Sequence, residues 1–347
     1  MSFHIDRDNY DSCPQFNDWL DEQYADQHGG LNLFGSQLRP SYVLHQLDFS
    51  TYEAALADFL SDREEQLRRT VLDDFPAPIA YYYYRFEYGF ENELQRLHFL
   101  RDTWEAIIDI LHSLTIGECR FRQLGLGTPI AFGHFLSERT ADRLLTVERI
   151  IDYANTKGVN LAINSIVTIP VLGTMRELNR SRNAFSHSAA QSEVQARAWV
   201  RECHQDVIDV LDELQDLAGI SVVRYLGQED ANTLRCEFFR GYAQTRTIRA
   251  ISLTDDQVQA SQRYFRQSEI LVSIRDCIFS LRPLVWFCED SSGHTTKLCM
   301  FRRTRGDLPD RRLEYEIVGK AERRDEDRGF FKSELDELRS LFGLGPD

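Results

Sequence analysis

The hydrophobic period changes at Ile220, and this change limits the fold more than any other property of the chain. Upstream, apolar residues recur at three- and four-residue steps; downstream they alternate, as strands require. Leu94, Leu97, Leu100, Trp104, Ile107, Ile108, Leu111 and Leu114 predict a helix over 91–122. A second is predicted over 137–156, from Leu144, Leu145, Val147, Ile150, Ile151 and Tyr153. A third begins near Pro170, a favoured first helical position, and runs through Met175 and Leu178. A fourth covers 193–217 and is closed by Gly219. Four helices with modest connections predict an up-and-down bundle.

Beyond Ile220, strands are predicted over 234–242, 245–253, 284–289, 295–301 and 313–318. Ser291-Ser292-Gly293-His294 reads as a hairpin loop between two of them. A helical interval near 255–267 and a terminal helix over 330–341 complete a small α+β module. At the other end, 1–50 read as irregular structure with short elements, 51–72 as a helix, and Asp73-Asp74-Phe75-Pro76-Ala77-Pro78 as its break. The expected fold class is therefore mainly α with an α+β C-terminal part. Three regions follow: an acidic N-terminal region (1–77), a four-helix bundle (78–221) and a β-rich module (222–347).

Charge narrows the function classes. The net charge of −15 argues against wholesale coating of nucleic acid. It is concentrated at the front: residues 1–79 carry −10, 80–222 carry −5, and 223–347 carry none. The last part still holds two basic clusters, Arg302-Arg303-Thr304-Arg305 and Arg311-Arg312, which could anchor nucleic acid or solubilise a hairpin. The seven cysteines form no C-x-x-C pair, which fits reduced, mostly buried thiols and disfavours a structural zinc. No run of apolar residues is long enough for a membrane span, and no secretory signal is read at the start. A cytoplasmic protein with no metal and no cofactor is expected.

One hexapeptide carries chemistry: Arg182-Asn183-Ala184-Phe185-Ser186-His187, at the end of the third predicted helix. Asn183 and His187 are four apart and share a helical face. Arg182 and His187 lie about 140° apart around a helix, so they converge only if the Arg folds back or the helix ends between them. Histidine has the pKa of a general acid or base, and arginine presents a planar fork to a phosphate. The 2′-hydroxyl of RNA can supply the nucleophile, so the scheme predicts RNA cleavage and excludes DNA. Arg176 and Arg180 flank the motif as candidate RNA-binding residues, or as ordinary solvated charges.

On this motif and its place in a four-helix unit, the chain resembles the HEPN family over about residues 78–220. The family's mark is Arg-x(4–6)-His, usually with Asn, Asp or His directly after the Arg, and Arg182-Asn183 with His187 matches it. The resemblance implies a four- or five-helix bundle and a homodimer in which two motifs face one another. It also implies a metal-independent endoribonuclease of toxin–antitoxin or antiphage (abortive-infection) defence. Arg182 would then hold the scissile phosphate, His187 handle the proton and Asn183 support them. RNA, tRNA among the candidates, and a regulatory protein would be the partners. The alternative is an inactive HEPN scaffold, or an RNA-binding or dimerisation module in a larger defence assembly.

Other candidates carry less. Tyr81 to Tyr84 read either as a base-stacking platform or as a buried approach to the next helix, the second being preferred. The glycines of Leu124-Gly125-Leu126-Gly127-Thr128-Pro129 lack the strand and the Lys-Ser/Thr of a phosphate loop and read as a turn. His112, His134 and His204 read as structural.

Overall fold

The computed structural model describes the backbone over 5–28, 31–33, 36–127, 132–187, 192–243, 245–289, 296–305, 312–320 and 323–344. Within those spans the side chains of 25–28, 31–33, 36–37, 132–133, 181–187, 245, 289, 296 and 327 are not described. The chain is mainly helical with a C-terminal antiparallel β region. It divides into two compact units, Met1–Arg69 and Thr70–Asp347.

The first unit is more regular than the expected irregular segment. It holds α1 (Pro14–His28), a hairpin of β1 (Leu31–Leu33) and β2 (Ser36–Leu38), α2 (Pro40–Leu47) and most of α3 (Phe49–Asp74). Its core is Cys13, Phe16, Leu20, Tyr52 and Phe59. Phe16 meets Tyr52 and Phe59 at ring separations of 4.9 and 5.4 Å. The buried Tyr52 hydroxyl donates to Asn17 Oδ1 at 2.6 Å. A few aromatics bury enough apolar area to hold helices that are polar elsewhere.

The second unit contains the remaining helices and both larger sheets. Its helices are α4 (Ala77–Glu87), α5 (Glu93–Arg122), α6 (Phe132–Phe135), α7 (Thr140–Thr156), α8 (Ile169–His187) and α9 (Glu193–Glu213). Strands follow: β3 (Ser221–Asp230), β4 (Thr233–Arg240), β5 (Thr245–Ser252), β6 (Ile270–Ile274), β7 (Cys277–Ser280), β8 (Val285–Glu289), β9 (Thr296–Arg305), β10 (Arg312–Ile317) and β11 (Arg323–Asp327). Two further helices, α10 (Asp255–Ser261) and α11 (Lys332–Leu341), complete the unit. The strands form two antiparallel sheets, ordered β5-β4-β3-β6-β7 and β11-β10-β9-β8. Phe239 of one sheet packs on Phe287 of the other at 4.4 Å. The Ser291–His294 loop lies outside the described residues, but β8 and β9 do pair as a hairpin.

Helix α5 is the axis of this unit. Every residue from 106 to 120 is buried, so α5 is enclosed on all sides rather than along one stripe. It packs against α4, α7, α9, β7 and α11. Helices α7 and α8 pack together, as do α8 and α9, so α5, α7, α8 and α9 form a closed ring of neighbours. Gly117 lets β7 approach closely: a Cβ there would sit 2.9 Å from the Phe279 ring and 3.0 Å from the Ser280 carbonyl oxygen.

Buried ions join helices to sheet. Asp109 of α5 takes Arg143 of α7 and, at 2.8 Å, Arg302 of β9. Arg302 also meets Glu316 of β10 at 2.8 Å, and the Tyr82 hydroxyl donates to Glu316. A second join links Arg120 of α5 to Glu337 of α11 at 2.6 Å, with Arg263 at 3.2 Å from the same carboxylate. The helical and strand-rich stretches lie together in the compact unit Thr70–Asp347.

Candidate functional site

The hexapeptide lies on the last turns of α8, whose final residue is His187. The helix does not end between Arg182 and His187, so one of the two conditions set for their convergence is not met within one copy. Asn183 and His187 fall one turn apart on a common backbone row. The motif is placed by its backbone alone, since its side chains lie outside those described.

The route into α8 is tightly held. Glu118, fully buried on α5, accepts from the backbone N–H groups of Ala162 and Ile163 at 2.6 and 3.1 Å and pairs with Arg122 at 2.7 Å. Its carboxylate thereby caps the short 3-10 turn Ala162–Ser165 that precedes α8. The Thr168 hydroxyl then accepts from the Val171 N–H at 3.4 Å. Val171, Leu172, Met175 and Leu178 bury the inner face of the helix. Helix α9 restarts the chain with Ser192 as its cap, accepting from the Gln195 N–H.

Sequence reading missed Asn179. It is buried, and its Oδ1 has no hydrogen-bond partner among the described residues. It sits one turn before Asn183 and two before His187 on the same backbone row. A buried amide carbonyl left unpaired is costly and marks a position to account for. The i, i+4, i+8 repeat of Asn179, Asn183 and His187 is the signal that could have found it.

The flanking arginines carry partners. Arg176 meets Glu148 of α7 at 2.8 Å, and Arg180 meets Glu177 at 2.5 Å. All four except Glu148 are largely exposed, so water screens these pairs.

The basic cluster on β9 is different. Arg302 is taken up by the buried ion seam, Arg303 pairs with Glu314 at 3.0 Å, and Arg305 approaches Glu314 and Asp325 at 3.9 and 3.6 Å. These arginines neutralise carboxylates of their own sheet and, for Arg302, of α5, rather than forming a cationic patch. Arg311 lies outside the described residues, and Arg312 is exposed. The four tyrosines form part of a helix of their own, α4, with Tyr82 and Tyr83 buried. Tyr81 and Tyr82 reach Gly319 and Glu316, so this run packs on the sheet and is not laid out as a stacking platform.

The lone histidines have structural surroundings. His204 Nε2 lies 3.5 Å from Glu87, and His134 is half-buried. His112 is buried in α5 with its Nε2 unpartnered among the described residues. Burial, assisted by repulsion from Arg143, lowers its pKa to about 3, so it stays neutral at ordinary pH.

A cavity of about 340 Å³ opens elsewhere, lined by Asp73, Asp74, Phe238, Arg240, Tyr242 and Arg249 among others, none of them on α8. Among the described residues no group of three or more His, Cys, Asp or Glu could hold a metal ion, and no helix is long and apolar enough to cross a membrane. No protein-family model, curated protein or solved structure matches this chain.

Proposed function

We propose that this protein is a metal-independent endoribonuclease of a cytoplasmic bacterial defence or toxin-type system, built on a HEPN-like bundle of α5, α7, α8 and α9. The observation that carries the reading is the position of Arg182-Asn183-x3-His187: the exit end of α8, one of four helices that pack as a closed ring. In a homodimer, two such helix ends would meet and form one composite site. There Arg182 holds the scissile phosphate, and Asn183 orients the histidine. One imidazole removes the proton of the RNA 2′-hydroxyl, whose oxygen attacks the phosphorus. The other returns a proton to the departing 5′-oxygen. The products are a 2′,3′-cyclic phosphate and a 5′-hydroxyl, and DNA is not a substrate.

The test is cleavage of total cellular RNA and of tRNA with EDTA present, comparing wild type with the Arg182→Ala/His187→Ala variant. The expected result is cyclic-phosphate ends from wild type only, with activity lower in the variant by at least the roughly 10²–10⁴-fold that positioned acid–base groups supply. Equal cleavage by both proteins would rule out this mechanism.

A second reading, a HEPN scaffold or RNA-binding module without catalysis, is favoured by the net charge of −15 and by the acidic partners of Arg176 and Arg180. RNA left intact by wild type and variant alike, with dimerisation retained in both, is its signature.

A further inference from the structure

Cys288 of β8 and Cys299 of β9 have a relation that the spacing of cysteines in the chain does not reveal. In the β8–β9 ladder Cys288 stands opposite Lys297, and Cys299 opposite Trp286. The two cysteines are therefore diagonal neighbours on one face of the sheet. Their thiols converge: the Cys299 S–H donates to Cys288 Sγ at 2.8 Å. A disulfide needs about 2.05 Å, so less than one ångström of travel separates the pair from a bond.

We propose that Cys288 and Cys299 form a reversible disulfide, making the β8–β9 hairpin a modification site for hydroperoxide-class oxidants. Three further features support it. The Cys288 thiol is lowered to about 7, first by the hydrogen bond from Cys299, against the effect of burial, and then by Arg324 and Lys297. A thiolate fraction is thus present at neutral pH, and the thiolate is the nucleophile. Strand β8 is the outer strand of its sheet, and Cys288 is its penultimate residue. Brief fraying of that strand end breaks few hydrogen bonds and admits an oxidant little larger than water.

The chemistry closes without other reactants. The Cys288 thiolate attacks one peroxide oxygen, the O–O bond breaks, and Cys288 becomes a sulfenic acid. The Cys299 sulfur then attacks Cys288 Sγ and displaces hydroxide, which leaves as water with the Cys299 proton. Two thiols and one hydrogen peroxide give one disulfide and two waters, with two electrons passing from sulfur to peroxide. A dithiol reductant reverses it by exchange.

The experiment treats the reduced full-length protein with stoichiometric hydrogen peroxide at neutral pH, blocks remaining thiols, and maps linked peptides by mass. The expected result is loss of two of the seven thiols, a single cross-link joining Cys288 to Cys299, and recovery of all seven with dithiothreitol. Cys299→Ser should stop at a sulfenic acid on Cys288 that dimedone traps, whereas Cys203→Ser should still form the cross-link. Survival of all seven thiols, a link between other cysteines, or a link between two chains would overturn the proposal. The mapping is made on the wild-type protein, so a variant that fails to fold leaves the result standing.

Discussion

Replacing His112 with phenylalanine should remove a large part of the acid sensitivity of the Thr70–Asp347 unit. His112 is buried in α5, with the ring of Phe135 6.0 Å away and Arg143 acting against its protonation. Its pKa falls from 6.5 to about 3 in the folded state. Above pH 6.5 neither the folded nor the unfolded chain carries this proton, and the residue contributes no pH dependence. Below 6.5 the unfolded chain binds the proton and the folded chain does not, until the pH approaches 3. Stability is therefore lost as pH falls through that window. Each pH unit below 6.5 costs about 1.4 kcal/mol, so the move from pH 7.5 to pH 5 costs about 2 kcal/mol, and the full window about 5 kcal/mol. The assay is urea unfolding at pH 7.5, 6 and 5, followed by the fluorescence of tryptophans that include the buried Trp104 of the same helix. Other titrating groups are shared by wild type and His112→Phe, so the difference of differences isolates this imidazole. Phenylalanine keeps a ring of similar size and cannot be protonated. An equal loss of stability between pH 7.5 and pH 5 in both proteins would refute the argument.

Two other substitutions probe the joins between helices and sheet. Asp109→Asn leaves Arg143 and Arg302 facing a neutral amide in a buried setting, and should cost about 3–5 kcal/mol, read as a lower thermal midpoint; an unchanged midpoint would mean the seam is not as dry as it looks. Gly117→Ala gains roughly 1 kcal/mol of helix propensity but drives a methyl group into the fully buried Phe279 ring and the Ser280 backbone, an overpacking cost of about 1–3 kcal/mol, so a net loss of up to about 2 kcal/mol in urea unfolding is expected, and a gain would show that β7 can move away.

The long helices were legible because each carries an apolar pattern of its own. The apolar pattern marks 91–122 and α5 spans Glu93–Arg122, and α7 and α8 begin within a few residues of where their patterns start. Helix α4 was hidden by its prolines. Pro76 and Pro78 read as a break, yet Pro78 stands in the first turn of a helix, where a missing N–H costs nothing. The N-terminal helices were hidden by polarity, since their core is a few aromatics rather than a stripe. Strand β3 was missed because bulges around Gly227 and Asp230 interrupt its alternation, and β11 because Arg-Arg-Asp-Glu-Asp has no apolar residue at all. That last strand is recruited by its partner, through contacts such as Arg323 to Glu314 at 2.9 Å. At the candidate site the sequence showed where Arg182, Asn183 and His187 stand on their helix. It could not show the ion seam, because Asp109 and Arg302 are 193 residues apart and nothing local ties one to the other. The proximity of Cys288 and Cys299 was invisible for the related reason that register, not spacing, brings them together.

The seam of Asp109, Arg143, Arg302 and Glu316 has a thermal consequence. Exposing apolar surface on unfolding raises the heat capacity, whereas exposing polar and charged groups lowers it. A joint filled with these four side chains therefore contributes less curvature to the stability profile than the same joint filled with leucine and valine. The desolvation cost of its ions also shrinks on warming. The helix-to-sheet contact thus weakens less, relative to the apolar interior around α5, as the protein approaches its hot limit.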